Sequence, residues 1–159
     1  MSVTLRPMDA ADYEEFVREA VDGYVGQLVD SGGWTPDEAR AKADADFSRL
    51  LPDGLATKEQ HLTMMVDDAS GQVVGRLWFS ALERNGRRYL WVHDVSVLPD
   101  ARGQGHGRAG MLALEDEARR LGYGELRLNV FGHNDVARGL YRALGYAEVA
   151  VEMQKQLEV

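Results

Sequence analysis

The chain contains no cysteine. Disulfide bridges, a thiol nucleophile and thiolate metal sites are therefore excluded. The histidines, His61, His93, His106 and His133, show no His-x-x-x-His pairing, so no metal is expected. Positive charge is also short: 18 Lys and Arg stand against 26 Asp and Glu, a net charge of −8. Duplex binding needs a basic stripe, so nucleic acid is not an expected partner. The acidity is compatible with a cationic ligand such as an amine, and a solvated surface is the commoner reason for it. No apolar run approaches the roughly 20 residues of a membrane span. The opening MSVTLRPMDAADYEE has neither the basic nor the apolar region of a signal peptide. A cytoplasmic protein with no membrane partner is the expectation. No Lys is followed by Ser or Thr, which excludes the nucleotide P-loop.

What is present fits one domain. The length of 159 residues, with 45% hydrophobic content, is enough to bury a core, and no linker, repeat or low-complexity segment divides residues 1–159. Val3–Pro7 reads as a first strand. Tyr13, Phe16, Val17, Ala20, Val21, Tyr24 and Leu28 recur at helical spacing and predict a helix from about Ala10 to Val29. Thr35, Pro36 and Glu38 form a capping-box start for a second helix ending near Leu51. Three strands follow, at His61–Asp67, Gln72–Leu82 and Arg88–Val97, with a hairpin turn at Asn85-Gly86. A glycine-rich loop leads into a helix carrying Met111, Leu114, Ala118 and Leu121, which Gly122 ends. Glu125–Val130 reads as a strand and Asn134–Leu144 as a short helix, with Gly145 as its cap. Ala147–Leu157 alternates well enough for one or two final strands. The order predicts an α+β domain on a mixed, mostly antiparallel central sheet of six or seven strands flanked by four helices.

The stretch Val95–Gly110, VSVLPDARGQGHGRAG, organises the chain. A β-branched segment passes through a turn into glycines at 103, 105 and 107, and a helix opens directly afterwards. Glycine lets the backbone approach a ligand, and the helix start offers unpaired N–H groups and partial positive charge. Such a loop is an anion seat. Gly105-x-Gly107-x-x-Gly110 matches the dinucleotide fingerprint as a string. However, Pro99–Gln104 separate it from the strand, and Asn129 and Val130 stand where its ribose-binding acid belongs.

Arg102-Gly103-Gln104-Gly105-His106-Gly107, preceded by Val95-Ser96-Val97-Leu98-Pro99, resembles the acetyl-CoA loop of the GCN5-related N-acetyltransferases (GNATs). Leu126-x-Leu128-x-Val130, Asn134, Ala137, Leu140-Tyr141 and Leu144-Gly145-Tyr146 resemble that family's second conserved segment. The close resemblance spans Val92 to Tyr146; the first 60 residues match only in layout.

The resemblance implies an acyl-CoA N-acyltransferase fold and direct acetyl transfer from acetyl-CoA to a primary amine, with a small molecule ahead of a protein as acceptor. It places the pantetheine arm along Val95, Ser96 and Val97. A backbone N–H there, that of Val97, would polarise the thioester carbonyl. The pyrophosphate falls on the amides of Gly103, Gln104, Gly105, His106, Gly107 and Arg108. Arg102 either adds charge or caps the loop. Tyr141 is the expected general acid: its pKa near ~10 keeps it protonated at neutral pH, above a thiolate near ~8.5. Its place on an apolar stripe fits a core role too. Asn134 reads as an N-cap, a pantetheine partner, or both. Asp94, three residues before Val97, reads either as the base or as a salt-bridged strand carboxylate. Under strict alternation His93 points to the opposite face, and a bulge would change that. At Asn129, relatives that modify protein N-termini carry Glu. Tyr24, Trp34 and Trp78 read as core positions or as an acceptor wall. A non-catalytic acyl-CoA-binding module is the competing function, and a homodimer is left open.

Overall fold

The computed structural model describes residues 1–159. Its elements run β1 (Val3–Pro7), α1 (Ala10–Asp30), α2 (Pro36–Leu50), β2 (Gln60–Asp67), β3 (Val73–Arg84), β4 (Arg87–Val97), α3 (His106–Arg120), β5 (Leu126–Leu128) and α4 (Asp135–Ala143). Single 3-10 turns lie at Gly54–Ala56 and Pro99–Ala101. The strands stand in the order β1-β2-β3-β4-β5. The first four pair antiparallel, and β5 runs parallel to β4.

Local chemistry explains the boundaries. Asp9 caps α1 by accepting from Asp12 N–H at 2.8 Å, and Asp12 returns the bond to Asp9 N–H at 3.0 Å. Thr35 and Glu38 do the same for α2, with Pro36 in its first turn. Asn85 (φ 52°) and Gly86 (φ 76°) make the tight turn that returns β3 into β4.

Helices cover both faces of the sheet. On one face α3 buries Met111 and Leu114 against Met65, Leu77, Phe79 and Leu90. On the other, α1 and α2 close over Trp78, Phe16, Met64 and Leu62. Burial of this apolar surface stabilises the fold at about 25 cal/mol per Å². Gly75 pairs with Val97 at the end of the β3–β4 ladder. A Cβ there would overlap both Met65 Cε and the backbone oxygen of Ser96.

Two expectations are corrected. The sheet has five strands, not six or seven. Ala147–Leu157 form none, and Val149, Val151 and Met153 are exposed. Alternation assigns residues to faces, but a strand also needs an edge to pair with. The edge offered here is β5, which is only three residues long rather than spanning Glu125–Val130. In the tail, Ala150 and Glu152 line the cleft described below, and Gln154 lies beside Gly32.

Gly75→Ala should destabilise the fold by about 1–3 kcal/mol, because backbone cannot move aside as a side chain can. A Cβ on Gly26, in the interior of α1, meets nothing within 4 Å. Gly26→Ala should therefore stabilise by about 0.5–1 kcal/mol. Thermal melts of the two variants check both signs.

Candidate active site

The site begins where β4 and β5 part. Their parallel ladder covers only Leu90–Val92 against Leu126–Leu128. Beyond it the β5-facing edge of β4 has no partner strand. Leu98 N–H bonds back to Val74 O at 2.9 Å. In an antiparallel ladder alternate residues bond to the neighbour, so the amides of Val95 and Val97 turn towards the open edge.

A bulge sits at the same place. Trp78 pairs with Asp94, but Phe79 pairs with Val92, so β4 carries one extra residue. Val92 and Val95 both pack on the α3 side. His93 and Asp94, between them, therefore share the α1–α2 face, which corrects the strict alternation expected of His93. The His93 ring stacks on Trp78 at 4.4 Å, and its Nε2 lies 2.7 Å from Ser80 Oγ. Burial, helped by the Arg49 charge, lowers its pKa to about 4, so it is neutral at pH 7. Asp94 keeps part of its surface open to the cleft. Ser96 Oγ donates to it at 3.4 Å. Burial raises its pKa to about 6 against the smaller pull of Ser96 and Arg76.

Arg76, which sequence reasoning missed, lies at 4% exposure under this face. Its guanidinium is tied to Glu19 and, at 3.6 Å, to Glu15. Its Nε has no acceptor. A lone Arg inside the apolar run VVGRLWFS was the available signal.

The loop then supplies donors. Arg102 Nε donates to Val97 O at 3.1 Å, and Gln104 Nε2 to Asp100 O at 3.2 Å. Arg102 thus caps the strand's last carbonyl. Gly105, at φ 90°, precedes α3, a conformation that strains any residue with a Cβ. The first helical bond is Ala109 N–H to Gly105 O at 3.0 Å. None of the six N–H groups from Gly103 to Arg108 has an acceptor within the protein. His106 is buried, with Nδ1 unpartnered.

Helix α4 completes the arrangement. The position a Cβ would take on Gly107 is 3.5 Å from Leu140 Cδ2 and 3.6 Å from Val97 Cγ2, so loop, strand end and α4 meet there. Asn134 caps α4, accepting from Ala137 N–H at 3.2 Å. Tyr141 is half-buried with its ring 5.6 Å from that of Tyr146. Burial raises its pKa, and the Asp94 charge raises it further.

One cleft of about 1820 Å³ runs from the loop to α1 and α2. Asp94, Val95, Ser96, Val97, Arg102, Gln104 and His106 line it. Asn134, Tyr141, Gly103, Gly105, Gly107 and Arg108 stand outside its lining. Tyr24, Trp34, Trp78 and Asn129 line its other half, together with Phe47, Trp91 and Phe131, which sequence reasoning did not single out. No three His, Asp or Glu side chains converge as metal ligands would.

Known proteins resemble this chain in sequence and in fold. The model of the acetyltransferase (GNAT) family matches residues 28–146. Two Bacillus subtilis proteins named as uncharacterized N-acetyltransferases are similar along their length. YycN is 31% identical, with 99% of this chain and 100% of that one covered. YdgE is 30% identical, with 99% of each covered. The crystal structure of YycN superposes with a TM-score of 0.93 at 30% identity, covering 99% of this chain and 100% of that one. A Trypanosoma brucei acetyltransferase shares the fold at 21% identity and a TM-score of 0.55, covering 99% of this chain and 100% of that one. A family model matched over most of the chain and relatives about 30% identical from end to end show that the chain belongs to the GNAT family of acetyltransferases.

Proposed function

We propose that the protein transfers the acetyl group of acetyl-CoA directly to the primary amine of a small molecule. The observation that carries this reading is the run of unpaired amides from Gly103 to Arg108, continuous with the open edge of β4. A diphosphate needs several convergent donors, and a helix start adds favourable partial charge. The pantetheine arm then extends along Val95–Val97 as an added strand. Ser96 projects to the Asp94 side, and Arg102 holds the turn by donating to Val97 O.

The chemistry follows from the positions. The acceptor ammonium first loses a proton to solvent; its neutral nitrogen then attacks the thioester carbonyl, the C–N bond forms, and the oxyanion is held by Val97 N–H. Asp94 takes the amine proton. Its raised pKa, about 6, makes it a better base than an exposed carboxylate while leaving it mostly ionised at pH 7. Collapse breaks the C–S bond, and Tyr141 donates its hydroxyl proton to the thiolate. Its raised pKa keeps that proton in place at neutral pH. Solvent restores both groups. Asn134 orients α4 as its cap.

One observation favours a second reading. Tyr141 stands outside the cleft lining, as it would in a module that only binds acyl-CoA. Tyr141→Phe separates the two. For the enzyme, kcat falls about 100-fold or more while acetyl-CoA affinity holds. A mere binder releases no CoA before or after the change. The primary assay is thiol detection of released CoA with a panel of polyamines, amino acids, aminoglycosides and N-terminal peptides. Absence of both release and acetyl-CoA binding defeats the proposal.

Asp94 gives a prediction of opposite signs. As base it must be ionised, so Asp94 should add a rising limb to kcat/KM with its midpoint at about pH 6, below the further rise as the amine itself loses its proton at about pH 10. Asp94→Asn should abolish that limb. A carboxylate whose folded pKa exceeds its unfolded value binds its proton more tightly when folded. Stability therefore falls between about pH 4 and pH 6, then stays level. Asp94→Asn removes a penalty on the order of 2–3 kcal/mol and should raise Tm at pH 7 but not at pH 4. Melts at the two pH values check this.

A further inference from the structure

The acceptor half of the cleft concentrates aromatic side chains. All three of the chain's tryptophans line this one cavity, although they are far apart in sequence. Trp78 is 2% exposed and forms the floor, with Phe47 against it at 5.5 Å. Above that floor, rings of Tyr24, Trp34, Phe47, Trp91 and Phe131 keep exposed surface. They come from α1, the α1–α2 turn, α2, β4 and the segment after β5. Tyr24 and Phe131 approach to 6.5 Å and join α1 to that last segment. Folding normally hides such rings from water. Half-exposed apolar rings gathered in one concavity mark a ligand seat rather than a core.

Charge in this half is already matched. Arg76 is held by Glu15 and Glu19. Lys42 binds Asp46 at 2.9 Å, and Arg49 approaches the same carboxylate at 3.6 Å. An acceptor bearing phosphate or carboxylate would therefore find no unpaired cation. His93 is neutral and adds another flat face. The remaining anions are Asp94 on the floor, paired in register with Trp78, and Glu152 on the tail at the rim. Both suit a cationic amine.

We propose that the acceptor is an arylalkylamine, with its flat aromatic body between the Trp34 and Phe131 sides of the cleft and its amine at Asp94. This rests on the acetyltransferase reading above. A ring seated among aromatic edges and faces gains from offset stacking as well as from burial. A short alkyl arm separates the ring from the nitrogen, which must reach the thioester beside Val97. A long polyamine would leave the rings wet and lacks a second unpaired carboxylate on the floor.

The test uses the full chain. Phenethylamine and tryptamine are compared as acceptors with spermidine, an aminosugar phosphate and a peptide beginning with Phe. Phenethylamine should give the highest kcat/KM alongside tryptamine. Trp34→Ala and Phe131→Ala should each raise its KM roughly fivefold to tenfold with little change in kcat. Acetyl-CoA affinity reports that the variants remain folded. Because every tryptophan lies in the cleft, quenching of intrinsic fluorescence by phenethylamine gives a second readout without turnover. Saturable quenching with no CoA release for any amine would refute the transferase reading and leave the aromatic seat standing. Preference for spermidine, the sugar phosphate or the peptide overturns the proposal. So does the absence of both turnover and quenching with phenethylamine.

Discussion

The separation of β4 from β5 after three residue pairs is the constraint on which the rest depends. A buried backbone N–H or C=O must find a partner, and a ladder that stops early leaves a strand edge unsatisfied. This chain places that edge beside a second set of unsatisfied donors, the amides ahead of Ala109. The two sets are continuous through the Pro99–Ala101 turn, and Arg102 on Val97 O holds the turn against the strand. In a protein with a net charge of −8, these unpaired main-chain donors present partial positive charge of the kind that favours an anion.

The bulge at His93 and Asp94 links that edge to the other half of the molecule. Without the extra residue, one of these side chains would enter the α3-side core. With it, both face α1 and α2, and the sheet presents a carboxylate beside the open edge. The surroundings make that carboxylate costly to ionise, so the site stores instability that the cores on both faces of the sheet offset. Arg76 acts in the opposite sense. Its ties to Glu15 and Glu19 bind α1 to the sheet and fix the wall of the cleft. Paired in this way, a buried guanidinium avoids most of the penalty of an isolated charge.

How much of this was legible in the sequence follows from the range of each interaction. Short-range chemistry could be read: the Thr35–Glu38 box, the Asn85-Gly86 turn, the helical stripes and the glycine loop each depend on neighbours within a few residues. The antiparallel meander and the four helices follow from them. Features set by distant partners could not be read. Alternation in Val149, Val151 and Met153 looks like a strand, yet nothing in those residues reports whether an edge is available. The face of His93 depends on register with Phe79 and Trp78, fixed across β3 and β4. Arg76 was visible as an anomaly, but its partners lie on a helix 57 residues earlier for Glu19. The aromatic wall comes from five separate segments, and the sequence singles out only two of its members, Tyr24 and Trp34, with Trp78 of the floor.

The central claim concerns main-chain donors, so the direct measurement is of those donors. In a uniformly nitrogen-labelled sample, two-dimensional amide spectra are recorded as CoA is added, and again with pantetheine, which lacks the diphosphate. The account predicts saturable downfield shifts for the amides from Gly103 to Arg108 with CoA, while pantetheine moves only those of Val95 to Val97. Saturation by CoA that left the loop amides unmoved would contradict it.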